Sequence, residues 1–145
     1  MPKSRATTPR ERVEGECRRT GTDAVVGKCL AILARGEIDE GFLAVIGGRA
    51  APHVIAGQEG GLTGHWPRIW AMRALLYAWE DHAADAVLAA TTDESWRVRE
   101  MAAKVIAARE LDEGLEVLGP LSVDPITRVR AAAERARRRL TATAS

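Results

Sequence analysis

Apolar positions recur at helical spacing along most of the chain. In GTDAVVGKCLAILARG (21–36), Val26, Cys29, Leu30 and Leu33 share one face, with Val25 and Ile32 beside it, the pattern of a half-buried helix. EIDEGFLAVIGG (37–48) places Ile38, Phe42, Val45 and Ile46 on one face and ends in Gly47-Gly48, which predicts a second helix with a glycine stop. A leading helix is expected over 10–19 and a short turn over 52–56. No segment long enough for a strand alternates strictly between apolar and polar residues, so the pattern predicts an all-α fold.

The second half repeats itself. DESWRVREMAAKV (93–105) and DPITRVRAAAERA (124–136) align without a gap at an offset of 31: Asp93 meets Asp124, Arg97 meets Arg128, Val98 and Arg99 meet Val129 and Arg130, and Ala102 meets Ala133. HWPRIWAMRALLYAW (65–79) joins them at an offset of 29, which sets Arg68 against Arg97, Ile69 against Val98, Met72 against Met101 and Leu76 against Val105. Asp93 and Asp124 open the two later copies and Pro125 follows the second, residues that suit a helix start. Between the copies, AADAVLAA (83–90) and LDEGLEVLGPL (111–121) each allow a short helix. The unit is a short helix, a tight turn and a longer helix.

An aspartate in the turn, Val-Arg five and six residues later and alanine beyond resembles HEAT repeats. The short spacing is nearer to the HEAT-like repeats of phycobilin lyase-type proteins. The resemblance covers residues 65–140 and implies an α-solenoid of about three units. It also implies a structural ladder in which Asp93, Arg99, Asp124 and Arg130 tie one unit to the next. Residues 10–56 are then an irregular helical N-terminal cap, 57–64 (GQEGGLTG) a glycine-rich connector, and 1–9 and 141–145 small, polar, disordered tails.

Each residue of a helix turns by about 100°. With Ile69, Val98 and Val129 set at a common zero, Val98, Met101, Ala102 and Val105 form a core face, and Ile69, Met72, Leu76 and Trp79 occupy the same sector. Trp79 is therefore a core residue. Trp66, Trp70, Arg73 and Tyr77 form a stripe on the flank, either packed against the N-terminal cap or left as an aromatic groove for a ligand, peptide or base. Trp96 lies nearly opposite the core face, either an exposed binding contact or a cover for the adjacent turn. Arg68, Arg97 and Arg128 fall on one matched position, as a basic strip for an acidic peptide or phosphates, or as solvated arginines paired with acids such as Glu94 and Glu100.

Charge refines this picture without deciding it. The chain of 145 residues has 21 basic and 20 acidic side chains, a net charge of +1, which excludes a protein that coats nucleic acid by charge alone. The charge is uneven along the chain: residues 125–145 hold six basic side chains and one acidic, Arg135, Arg137, Arg138 and Arg139 of the last helix among the six. Cys17 and Cys29 lie outside any metal-ligand spacing and read as reduced thiols, and no stretch has the length or apolarity of a membrane span. A cytoplasmic location is expected. His53, His65 and His82 are scattered and no nucleophile has a recognisable setting, so neither a catalytic site, a metal nor a cofactor is expected. These residues point to a non-catalytic scaffold that binds a partner protein or peptide through the solenoid surface at Arg68, Arg97, Arg128, Trp96, Trp66 and Trp70. Two other HEAT-like classes stand beside it: nucleic-acid binding as in DNA glycosylases, and a maturation factor of the lyase type.

Overall fold

A computed structural model describes residues 7–143 of the chain. The expected tails at 1–6 and 144–145 lie outside the described residues, which contain helices, turns and no strand. Helix α1 (Pro9–Thr20) starts within the expected tail because Thr8 and Glu11 cap it reciprocally. The Thr8 hydroxyl accepts from the Glu11 N–H at 3.1 Å and the Glu11 carboxylate accepts from the Thr8 N–H at 3.2 Å. Gly21, at φ +96°, turns the chain directly into α2 (Thr22–Leu33), a conformation that side chains strain to adopt. Helix α3 (Glu40–Gly47) is capped by Asp39, whose carboxylate accepts from the Phe42 N–H, and α4 (Ala51–Ile55) follows. These four make the N-terminal part: α1 packs on α2 and α3, and α3 on α4.

Helices α5 (Trp66–Ala74), α7 (Trp96–Arg109) and α9 (Thr127–Thr143) then pack in chain order, α5 on α2 and α3, α7 on α5, and α9 on α7. The short α6 (Ala84–Ala89) and α8 (Leu115–Leu121) lie against α7 and α9 respectively. Helix α9 runs on to Thr143, past the expected boundary at 140. On α7 and α9 the buried residues are mostly small or β-branched: Val98, Ala102, Ala103, Val105, Val129, Ala132, Ala133 and Ala136. Small side chains let two helices approach closely, which offsets the modest apolar area that each alanine buries. Both cysteines are free thiols, and burial pushes that of Cys29 up to about 12.

The structure corrects the alignment of the first copy. At an offset of 31 throughout, Pro67, Val98 and Val129 are all buried, as are Ala71, Ala102 and Ala133, and Ala74, Val105 and Ala136. The offset of 29 places half-buried Leu76 against buried Val105. Trp79, expected in the core, is half-buried at the rim, where its indole N–H donates to Asp81 at 3.0 Å and Arg109 lies over its ring. Two residues of misalignment turn a helix by roughly 200°, enough to exchange its inner and outer faces.

Candidate functional site

Two aspartates in matched turns tie successive helices together. Asp93 accepts from Arg68 of α5 through both oxygens, at 2.9 and 3.1 Å, and Asp124 accepts from Arg99 of α7 in the same way, at 2.8 and 3.2 Å. Each arginine also donates back to a carbonyl of its own turn, Arg68 to Gly64 and Arg99 to Asp93, both through Nη1. Arg130 donates likewise to the Asp124 carbonyl at 2.6 Å. Bidentate forks of this kind fix orientation as well as distance. Arg68 therefore occupies the place of Arg99 and Arg130, and the equivalence of Arg68 with Arg97 and Arg128 does not hold. Arg68 is buried, so it takes no part in an exposed basic row.

Neither aspartate caps its helix from the position expected. Asp93 and Asp124 accept instead from the N–H groups two residues on, at Ser95 and Ile126, closing tight turns before α7 and α9. Burial alone raises their pKa values, but the arginine forks and these N–H groups outweigh it and hold both carboxyls below the ordinary value. A carboxyl whose pKa is depressed by folding stabilises the fold above about pH 4 and ceases to as pH falls through the folded value. The urea midpoint is therefore expected to drop on acidification below about pH 4, and Asp124→Asn to be less stable at neutral pH with a shallower acid limb. An unchanged acid limb in the variant would rule out Asp124 as a contributor.

The residues left outside this ladder form a second arrangement at the first turns of α5, α7 and α9. The Arg97 guanidinium lies 5.4 Å from the Trp66 ring and 4.5 Å from the Trp96 ring, and Arg128 lies 5.1 Å from Trp96 on its own account. Trp66, Arg97, Trp96 and Arg128 thus alternate along one strip. His65 meets Trp66 edge-on, and burial, with the charges of Arg97 and Arg68, lowers its pKa. Its Nδ1 is 3.1 Å from the Ser95 hydroxyl. Arg128 donates twice to the buried carboxylate of Glu100, whereas Arg97 makes no ion pair among the described residues. Cations at helix starts oppose the helix dipole, and among the described residues the two indoles are what compensates Arg97.

This strip continues along the seam of α7 and α9. Residues seven apart on a helix share a face, so Lys104 follows Arg97 on α7, and Arg135 follows Arg128 on α9. Lys104, Arg135, Arg138 and Arg139 rim a groove of about 570 Å³ floored by Ala107, Ala108 and Ala132. Arg139 pairs with Glu110 and Lys104 lies 3.8 Å from Glu100, while Arg135 and Arg138 make no ion pair among the described residues. Lys104 was not singled out from the sequence, because no repeat partner marks it. Its spacing of seven from Arg97 was the available signal.

The aromatic stripe faces the N-terminal helices. Trp70 is buried, with Gly47 of α3 against its ring, Arg73 donates to the Ile46 carbonyl at 2.6 Å, and Arg10 of α1 lies over Tyr77. Trp66 is half-buried beside Trp70, and Trp96, for which exposed contact and local cover both stood open, is half-buried between two arginines. Among the described residues no group of three or more His, Cys, Asp or Glu is placed to hold a metal ion, and no helix is long and apolar enough to cross a membrane. No family model matches the chain, and no curated protein or solved structure matches it either.

Proposed function

We propose that this chain is a short HEAT-like α-solenoid acting as a non-catalytic binding module, and that it takes an acidic segment of a partner protein on the face made by α7 and α9. The observation that supports this most is Arg97, a cation held between two indoles without a carboxylate partner among the described residues. Arg135 and Arg138 extend the same unpaired charge along the alanine-floored groove, where the small floor admits a segment close to the helix backbones. Charge arranged in this way favours capture and orientation of an opposite charge. Nucleic acid is the weaker reading, because arginines already lie over the rings of Trp66 and Trp96 and bases need open aromatic faces.

A fluorescently labelled poly-glutamate peptide is expected to bind saturably, and more weakly as salt is added. Arg97→Ala, Arg135→Ala and Arg138→Ala together are expected to weaken it by about tenfold or more, since each exposed charge contributes up to about 1 kcal/mol. Tighter binding of random duplex DNA than of the peptide would transfer the face to nucleic acid. Peptide binding unaffected by the triple variant would remove this face from the proposal.

A further inference from the structure

On another side of Trp66 the chain forms a cavity of the opposite character. Ala50 just before α4, His53 and Val54 on it, Glu59 from the connector, and Trp66 and Trp70 of α5 line a space of about 190 Å³ with a mainly apolar wall. Trp70 is fixed in it, since a methyl group at Gly47 would approach its ring atoms to 2.6 Å. Trp66 stands 6.0 Å from Trp70 between centroids at a tilt of 33°, so the aromatic wall is set before any ligand arrives. Arg97, although it lies over the Trp66 ring, is not part of this wall.

Glu59 gives the cavity its sign. It is exposed, makes no ion pair or hydrogen bond among the described residues, and stands at φ 55°, a left-handed backbone that side chains other than glycine rarely adopt. The turn that places it on the wall therefore costs backbone strain. An unpaired carboxylate beside two indoles repels anions and favours a cation with an apolar coat. A bare ammonium is strongly hydrated and gives up its water reluctantly, whereas methyl groups on the nitrogen meet the aromatic wall directly. The space is below the roughly 300–1,000 Å³ of sites for drug-sized ligands and suits a group of the size of trimethylammonium.

We infer that this cavity binds a methylated ammonium group, as found on trimethyllysine or choline. The site shares Trp66 with the basic strip but none of its charged residues or of the groove, so it does not rest on the acidic-segment reading. The test is a titration of the full chain with choline and with free trimethyllysine at about pH 8, where imidazoles are uncharged, following the indole N–H resonances. Saturable shifts at Trp66 and Trp70, but not at Trp79 and Trp96, are expected, and the tighter of the two ligands identifies the source. 3,3-Dimethylbutanol, the neutral isostere of choline, is expected to bind about tenfold more weakly. Glu59→Gln, a change at an exposed side chain that preserves the fold, is expected to weaken choline by a similar factor. Equal affinity for choline and its isostere, unchanged affinity in Glu59→Gln, or no shift at the two indoles would each overturn the assignment.

Discussion

Replacing Arg68 with alanine is expected to lower the free energy of unfolding by about 3–5 kcal/mol, the cost of breaking a buried ion pair from one side. Arg68 is 5 % exposed and holds both oxygens of Asp93. Its loss leaves a nearly buried carboxylate with the Ser95 N–H at 2.8 Å and the more distant Arg35 at 3.9 Å. The same substitution at Arg97 is expected to cost no more than about 1–2 kcal/mol, because among the described residues it removes two cation–π contacts and no side-chain hydrogen bond. Urea unfolding of the two variants separates these outcomes, provided the slope stays constant. If Arg97→Ala were the more damaging, the assignment of Arg68 to the ladder would be wrong, and the 29-residue alignment would regain its place.

Trp70→Ala is expected to destabilise by about 3–5 kcal/mol, since it empties a large buried site. Trp70 is 4 % exposed, and on its far side Gly47 leaves room for the indole that no other residue at 47 would. Gly47→Ala brings a methyl to 2.6 Å from two ring carbons and 3.0 Å from the Ala51 methyl, so overpacking is expected to cost about 1–3 kcal/mol. Combined, the two changes are expected to cost less than their sum, because the new methyl enters space that the indole has vacated. A double-mutant cycle measures this coupling, and strict additivity would show that residue 47 is not fitted to the ring.

Much of the fold was legible locally. GTDAVVGKCLAILARG became α2, EIDEGFLAVIGG became α3, and the segments at 83–90 and 111–121 became α6 and α8 with their short turns. Apolar spacing announces a helix because the buried stripe must recur with the helical period. The resemblance to HEAT repeats pointed to Asp93, Arg99, Asp124 and Arg130 as a ladder; in the structure Arg99 reaches Asp124, Arg68 reaches Asp93, and Arg130 bonds within its own turn. The first copy was misplaced because Ile69 and Met72 align attractively with Val98 and Met101 at an offset of 29. Pro67 and Ala71, which match Val98 and Ala102 at 31, are weaker signals because proline and alanine occur in many settings. The candidate site was legible only in its parts: Arg97, Arg128, Trp66 and Trp96 were named, but not as one alternating strip.

By itself, then, the sequence determined the longer helices, their order and the columns of small residues that let α7 and α9 pack closely, because each of these depends on spacing within one or two helices, whereas the one-turn α4 formed where a turn was expected. Only the tertiary structure decided what each arginine does. Arg68 and Arg99 turn toward aspartates 25 residues further along the chain and are spent on the ladder, while Arg97 turns toward Trp66 and Trp96 and is left as a cation without a carboxylate partner among the described residues. All three are alike as residues and close in sequence context. What separates them is rotation about the helix axis relative to a neighbouring helix, and that angle is fixed by packing between units.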